Sequence, residues 1–430
     1  MRRLTILSRV IATAATCAAP GLRLMLRMRA WRGKEIAARL AERRGVEREP
    51  RPPGPLLWLH AASVGETASI FPVLFALGEQ APNLSILLTT GTVTSARLVA
   101  ARLPTLALTQ RVLHRFVPLD VPSWVGRFLD HWSPDAAGFV ESELWPNLLG
   151  GCRARALPLM LLNARMSERS YRAWRSAPRL ARHLLQAFTR VQAQSEADAG
   201  RLRDLGAKCV SAPGNLKFAA APLPVDAAVL ARLASILNRR PRWLAASTHP
   251  GEEALMLTVH ATLAASHPGL VTIIVPRHPE RGAEIVRELR GVVVSRRSAG
   301  EDPPPSAGIW VADTLGELGL FYRLAPIVFV GRSLVAPGGG QNPLEPARLG
   351  CAVAVGPHAA NFTEALAVLE EAGAVARVAN ASGLGAWVDD MLRSPEERDA
   401  IGEAAIAATA RHADLPGRTA SALLQLMRPS

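Results

Sequence analysis

Lysine is almost missing from this chain. Of 50 Lys and Arg residues only Lys34, Lys208 and Lys217 are lysine, so arginine carries nearly all of a formal charge of +14. Genomic composition is one reading of that bias. The functional reading is a field that attracts anions such as phosphates, acidic sugars or anionic lipid head groups. Aromatic residues are scarce at 5%, the arginines are spread along the chain, and no zinc-finger or RNP-like signature occurs, which argues against a nucleic-acid partner. The four cysteines, Cys17, Cys152, Cys209 and Cys351, are far apart and form no CxxC pair. That excludes a zinc site or disulfide framework of the usual spacing, and a reducing cytoplasm fits. Neither GxGxxG nor GxxxxGK[ST] follows a first strand, so dinucleotide and P-loop readings lose their main support. HExxH and DxD are also missing, and no run of eighteen apolar residues occurs.

The N-terminus comes closest to such a run. Val10 to Leu22 is uncharged and fairly apolar, bounded by Arg9 and Arg23. Thirteen residues are too few to span a bilayer. Arg2, Arg3, Arg27 and Arg29 extend the basic flanks, and Leu24-Met25-Leu26 resumes the apolar pattern. A short apolar helix with basic edges suits the face of an anionic membrane better than a cleaved signal.

At 430 residues the chain exceeds one ordinary core, and two domains are expected. Short β-rich runs alternate with amphipathic helical stretches in both halves, the pattern of parallel sheets covered by helices on both faces. Candidate strands in the first half are 56–60, 85–90, 137–140, 157–163 and 190–194. In the second half they are 243–247, 271–276, 291–295, 308–312, 327–330 and 352–355. The expected division is a membrane-associated segment over 1–50, a first α/β domain over 51–216 and a second over 217–430. The linker is read in Ala219-Ala220-Ala221-Pro222-Leu223-Pro224. Two doubly wound domains facing a central cleft would place ligands at the carboxyl ends of their strands.

Leu56-Leu57-Trp58-Leu59-His60-Ala61-Ala62-Ser63-Val64-Gly65-Glu66 reads as strand, small-residue turn and helix start. A carboxylate there is held ionised by the helix dipole and free amides, and is a candidate general base. Glu66 as a simple helix cap is the competing reading. Glu141-Ser142-Glu143 is the nearest paired-carboxylate motif, equally suited to bonding backbone amides.

Four clusters in the second half each end a strand. Ser247-Thr248-His249-Pro250-Gly251-Glu252-Glu253 offers hydroxyls and amides to an anion. Pro276-Arg277-His278-Pro279-Glu280-Arg281 offers a guanidinium to a phosphate. Asp313-Thr314-Leu315-Gly316-Glu317-Leu318 opens another helix. In Gly338-Gly339-Gly340-Gln341-Asn342-Pro343-Leu344-Glu345 the glycines permit close backbone approach, and Glu345 is placed to accept two ribose hydroxyls. Together they point to a nucleotide site.

With these motifs in order, the chain resembles the 3-deoxy-D-manno-octulosonic acid (Kdo) transferases of lipopolysaccharide synthesis. The resemblance runs through residues 60–66, 89–92, 118–120, 141–147, 163–165, 214–218, 247–249, 276–281, 313–318, 338–345, 356–358 and 361–362. It implies an α/β GT-B fold and inverting transfer of Kdo from CMP-Kdo to a lipid A precursor (lipid IVA), without a metal or other cofactor. It also implies a place at the cytoplasmic face of the inner membrane, among its anionic lipids. Glu66 matches the family's base. Ser63, Gly65, Thr90, Glu143, Asn163 and Arg165 fall on the acceptor side. Ser247, Thr248, Pro276, Arg277, His278, Gly338, Gly339, Gly340, Asn342 and Glu345 fall on the nucleotide side. Two departures stand out. Gln341 replaces the usual His of the glycine loop, and cannot carry a proton as an imidazole does. Ser142 replaces Thr in the Glu-Thr-Glu-Leu-Trp-Pro-Asn motif. The rival readings are a GT-B nucleotide-sugar epimerase that needs no lipid acceptor, and a non-catalytic membrane-surface scaffold.

Overall fold

In the computed structural model, residues 2–104, 108, 110–219 and 223–427 are described, with side chains from Arg9 onward. The chain divides into two compact units, Met1–Ala220 with His412–Ser430, and Ala221–Arg411. The central part of the expected linker, 220–222, lies outside the described residues.

The first unit is built on a parallel sheet of seven strands: β1 Leu56–Ala61, β2 Ser85–Thr90, β3 Val112–Phe116, β4 Ala136–Val140, β5 Leu159–Ala164, β6 Arg190–Ala193 and β7 Val210–Ser211. Their order is β3-β2-β1-β4-β5-β6-β7. β1 reads Leu-Leu-Trp-Leu-His-Ala and is buried along its whole length, as expected of a central strand covered on both faces. One face carries Trp58, Phe128, Trp132 and Phe139, the other Leu57, Leu59, Ile70 and Leu74. The second unit repeats the plan with β8 Arg242–Thr248, β9 Val271–Pro276, β10 Val294–Arg296, β11 Gly308–Val311, β12 Ile327–Val330, β13 Ala352–Val355 and β14 Val375–Arg377. Its order is β10-β11-β9-β8-β12-β13-β14. Both sheets therefore reverse their winding once, at β1/β4 and at β8/β12. Loops beyond the carboxyl ends of those strand pairs form the crevices where doubly wound folds bind ligands.

Three differences from the sequence reading have clear physical causes. β3, β7 and β14 were not anticipated. All three are sheet edges, paired on one side only, and β3 reads Val-Leu-His-Arg-Phe with a half-buried middle. Edge strands lack the continuous apolar run that marks a central one. The C-terminal segment also does not stay with the second domain as expected. Helix Leu415–Leu426 buries Leu415, Thr419, Ala420 and Leu423, and its leucines join the core around β1 in the first unit.

The third difference is the N-terminal stretch, which forms one helix, Arg2–Trp31, far longer than its thirteen-residue apolar centre. Leu26 is buried against Val121 and Trp124, and the Arg23 guanidinium lies 6.0 Å from the Trp124 ring. Val10, Leu24, Met28 and Trp31 remain exposed, at 57%, 58%, 47% and 85%. Among the described residues no helix is long and apolar enough to cross a membrane.

Candidate functional site

In the first unit the β1/β4 crevice collects the carboxylates. Ser63 caps helix Val64–Gln80, accepting the Glu66 N–H. Glu66 replies in both directions: its Oε1 accepts the Ser63 hydroxyl at 2.7 Å and its Oε2 accepts the Ala62 N–H at 2.8 Å. This is close to a capping box, with the returning bond made to the N–H of Ala62 and not to that of the capping Ser63, so Glu66 does brace the helix start. It does not exhaust the group, since a carboxylate offers about four acceptor positions and two are filled. Glu66 is 7% exposed. Burial pushes its pKa up, against the Ser63 and Ala62 hydrogen bonds, and Glu141 and Glu143 add repulsion. Gly65 and Ser63 are exposed at the turn.

Glu143 is held by groups the sequence did not connect to it. His60, 1% exposed at the end of β1, places Nε2 3.5 Å from Glu143 Oε2, and the Trp145 indole also donates to Glu143. Thr89 Oγ1 accepts from the Trp58 indole at 2.8 Å and lies 2.9 Å from His60 Nδ1. His60 Nδ1 also lies 3.2 Å from the Thr89 carbonyl, so each ring nitrogen faces an oxygen acceptor. Burial works to raise the Glu143 pKa, but the His60 and Trp145 hydrogen bonds hold it below the usual carboxylate range.

Glu141 has a left-handed backbone, φ 62°, and pairs with Lys217 Nζ at 2.6 Å. Asn163, also left-handed at φ 51°, accepts the Leu216 N–H at 2.8 Å. Its Nδ2 is buried without a hydrogen-bond partner. Arg165 is exposed at the end of β5, and its carbonyl accepts the Ser142 hydroxyl. Serine thus performs a hydroxyl task here that needs no threonine methyl. Thr90 is different. It is fully buried and its hydroxyl bonds His114 Nε2 at 2.9 Å. That position serves the β2–β3 edge and does not open to an acceptor. Burial, then Arg39, Arg115 and Arg43, drives the His114 pKa down to about 3.

In the second unit the β8/β12 crevice is organised by Glu252, which is wholly buried. One oxygen accepts the N–H groups of His249 and Arg332 at 3.0 and 2.7 Å, and the other those of Ser333 and Leu334 at 2.9 and 3.0 Å. This carboxylate fixes the loop after β12 to the loop after β8. No local signal marks this role of Glu252, because three of its four partners lie some eighty residues away. Thr248 is buried and donates to Glu253, so its hydroxyl is turned from the crevice. Pro276 ends β9 in the core, whereas Arg277 and His278 beyond it are exposed. Ser247, half-buried, bends β8 with φ 57°.

The glycine loop differs from expectation in what its amides do. Gly338, Gly339 and Gly340 all have positive φ, and a Cβ on any of them would strike His358, Asn361 or Ala359. The Gly339 N–H donates to the His358 carbonyl at 2.7 Å and the Gly340 N–H to the Arg332 carbonyl at 2.8 Å. Those two amides are therefore engaged inside the protein, and the glycines permit loop-on-loop packing. The helix beyond is a single turn, Leu344–Ala347. Asn342 starts it, accepting the Leu344 N–H and donating to Glu345 Oε1 at 3.3 Å. Gln341 Nε2 lies 3.1 Å from His249 Nε2, and an amide there donates to an unprotonated ring nitrogen. Burial, then Arg332, lowers the His249 pKa, with His278 and Arg277 adding to it. Among the described residues no cluster of three or more His, Cys, Asp or Glu is placed to hold a metal ion.

The family model for 3-Deoxy-D-manno-octulosonic-acid transferase (kdotransferase) matches residues 38–220. A probable mitochondrial 3-deoxy-D-manno-octulosonic acid transferase of Arabidopsis thaliana is 38% identical over 390 residues, covering 88% of this chain and 86% of the relative. The 3-deoxy-D-manno-octulosonic acid transferase of Bordetella pertussis is 36% identical over 387 residues, covering 88% and 89%. Among solved structures, the UDP-GlcNAc 2-epimerase of Neisseria meningitidis bound to UDP-GlcNAc superposes with a TM-score of 0.60 at 13% identity, covering 86% of this chain and all of that one. At that identity the likeness speaks for the GT-B fold alone. The extended sequence identity speaks for more: this chain is an enzyme of the 3-deoxy-D-manno-octulosonic acid transferase family of glycosyltransferases.

Proposed function

We propose that the protein transfers Kdo from CMP-Kdo to the glucosamine disaccharide of a lipid A precursor, with inversion and with Glu66 as general base. The observation that carries this reading is Glu66 itself: a carboxylate at the switch point of the first sheet, raised in pKa by burial, in a chain of this family. A raised pKa brings a base closer to working pH and strengthens it. In the reaction Glu66 takes the proton of the acceptor hydroxyl. The freed oxygen attacks the anomeric carbon of Kdo, and the bond from that carbon to the phosphate oxygen breaks. CMP leaves with the electron pair, and the configuration inverts.

Glu143 is too firmly held by His60 and Trp145 to compete for that proton. It orients the acceptor. In the second unit the exposed Arg277 meets the phosphate, and Glu345, in the first turn after the glycine loop, meets the ribose hydroxyls. Guanidinium groups supply the charge stabilisation of the leaving CMP, so no metal cofactor is required. The helix Arg2–Trp31, with Arg9, Arg23, Arg27 and Arg29 among exposed apolar side chains, suits the anionic cytoplasmic face of the inner membrane, where such an acceptor resides. The test is incubation of the pure protein with CMP-Kdo and a tetra-acylated lipid A precursor, followed by mass analysis. A product heavier by whole Kdo units is expected. Consumption of donor that does not depend on the lipid would favour an epimerase-like or hydrolytic activity instead.

A further inference from the structure

β9, β8 and β12 are consecutive neighbours in the second sheet. Their carboxyl ends lead into Arg277, His249 and Arg332 respectively. Neighbouring strands lie about 4.8 Å apart, so the two arginines flank His249 across roughly two strand spacings. The same Glu252 oxygen accepts the N–H of His249 and of Arg332, which fixes those two residues side by side at the switch point.

Arg332 is unusual in two respects. Its backbone is left-handed, φ 56°, a conformation natural to glycine and strained for a residue with a Cβ. Its side chain is exposed. Among the described residues, neither its guanidinium nor that of Arg277 has a hydrogen-bond or ion-pair partner. The nearby Glu252 pairs with neither, since its acceptor positions are taken by the backbone amides of His249, Arg332, Ser333 and Leu334. Two guanidinium groups without a protein partner, on either side of an imidazole, make a site for a ligand with two separate anionic groups.

We propose that Arg332 binds the carboxylate of the Kdo sugar while Arg277 binds the phosphodiester, so that the pair clamps both charges of the donor. The assignment rests on the CMP-Kdo reading above. CMP-Kdo carries one charge on the phosphodiester and one on the sugar acid, whereas CMP lacks the second group. Arg332 is thus a donor-specificity residue that CMP alone does not engage.

Arg332→Gly tests this without threatening the fold, because glycine adopts the required φ freely. The measurements are the Kd of CMP by calorimetry and the KM and kcat for CMP-Kdo in the transfer assay. The CMP Kd should stay within twofold while the KM for CMP-Kdo rises at least tenfold, and Arg332→Lys should restore part of that loss. Arg277→Ala should weaken both ligands. An unchanged KM in Arg332→Gly, or a CMP affinity that falls as far as that for CMP-Kdo, overturns the carboxylate assignment. If the unaltered protein binds neither ligand, the donor reading itself is wrong, and this assignment falls with it.

Discussion

The carboxylate of Glu66 accepts a hydrogen bond from Ser63, the residue that caps its own helix, at 2.7 Å. The side chain proposed as the base therefore also braces the start of its own helix. The two roles separate in mutants. Ser63→Ala removes the cap but leaves the carboxylate, and should lower stability by about 1 kcal/mol with only a few-fold loss of turnover. Glu66→Gln should cost around 10²–10⁴ in turnover and a comparable amount of stability, since the amide can accept only one of the two bonds. Turnover and melting temperature on both variants decide it. Near-normal turnover in Glu66→Gln returns this residue to a purely structural role.

The pH profile should carry the mark of burial. Glu66 must be ionised to act, and its folded-state pKa lies above the ordinary carboxylate value. The acid limb of kcat/KM should therefore fall off at a higher pH than an exposed glutamate would give. Ser63→Ala takes away a hydrogen bond that lowers this pKa, so it should move the limb further up. A limb that stays put in that variant would assign the titration to another group.

Arg277→Ala should weaken CMP binding by roughly 1.5–3 kcal/mol, the worth of a hydrogen bond to a charged group. EDTA should leave transfer unchanged. Calorimetry with CMP checks the first, and a strict requirement for added Mg²⁺ or Mn²⁺ would defeat the second.

Glu252→Ala should be among the most destabilising single changes in the second unit. It strands the amides of His249, Arg332, Ser333 and Leu334, and an unsatisfied buried donor costs about 1–3 kcal/mol. A loss above roughly 3 kcal/mol is expected by denaturant unfolding, allowing for partial rescue by water. A loss below 1 kcal/mol would mean the loop after β12 is held by other contacts.

The membrane contact proposed for helix Arg2–Trp31 can be tested without truncating it. Deletion would strip Leu26 from Trp124 and confound the result. Leu24, Met28 and Trp31 are exposed, so changing all three to Glu should abolish flotation with anionic liposomes and leave the melting temperature and CMP affinity unchanged. Undiminished flotation would place the membrane contact elsewhere on the chain.

Sequence alone determined whatever is local or one-dimensional. Central strands such as β1, β2, β9, β12 and β13 announced themselves as short apolar runs because both their faces are covered. The Ser63–Glu66 cap was legible because its partners are three residues apart. The family was legible because its motifs follow one another in a fixed order. Tertiary structure decided whatever depends on partners far along the chain. Helix Leu415–Leu426 returns to the first unit because its apolar face completes the core beside β1, and no local signal records that. Thr90 and Thr248 sit in site motifs, yet folding turns their hydroxyls toward His114 and Glu253. His60 acquires Glu143, and Glu252 acquires four amides, only when strand ends meet at a switch point. Arg332 carried no motif. Its left-handed backbone and unpaired charge arise where β8 and β12 come together, because the hydrogen bonds that impose that conformation come from residues brought near only by the fold.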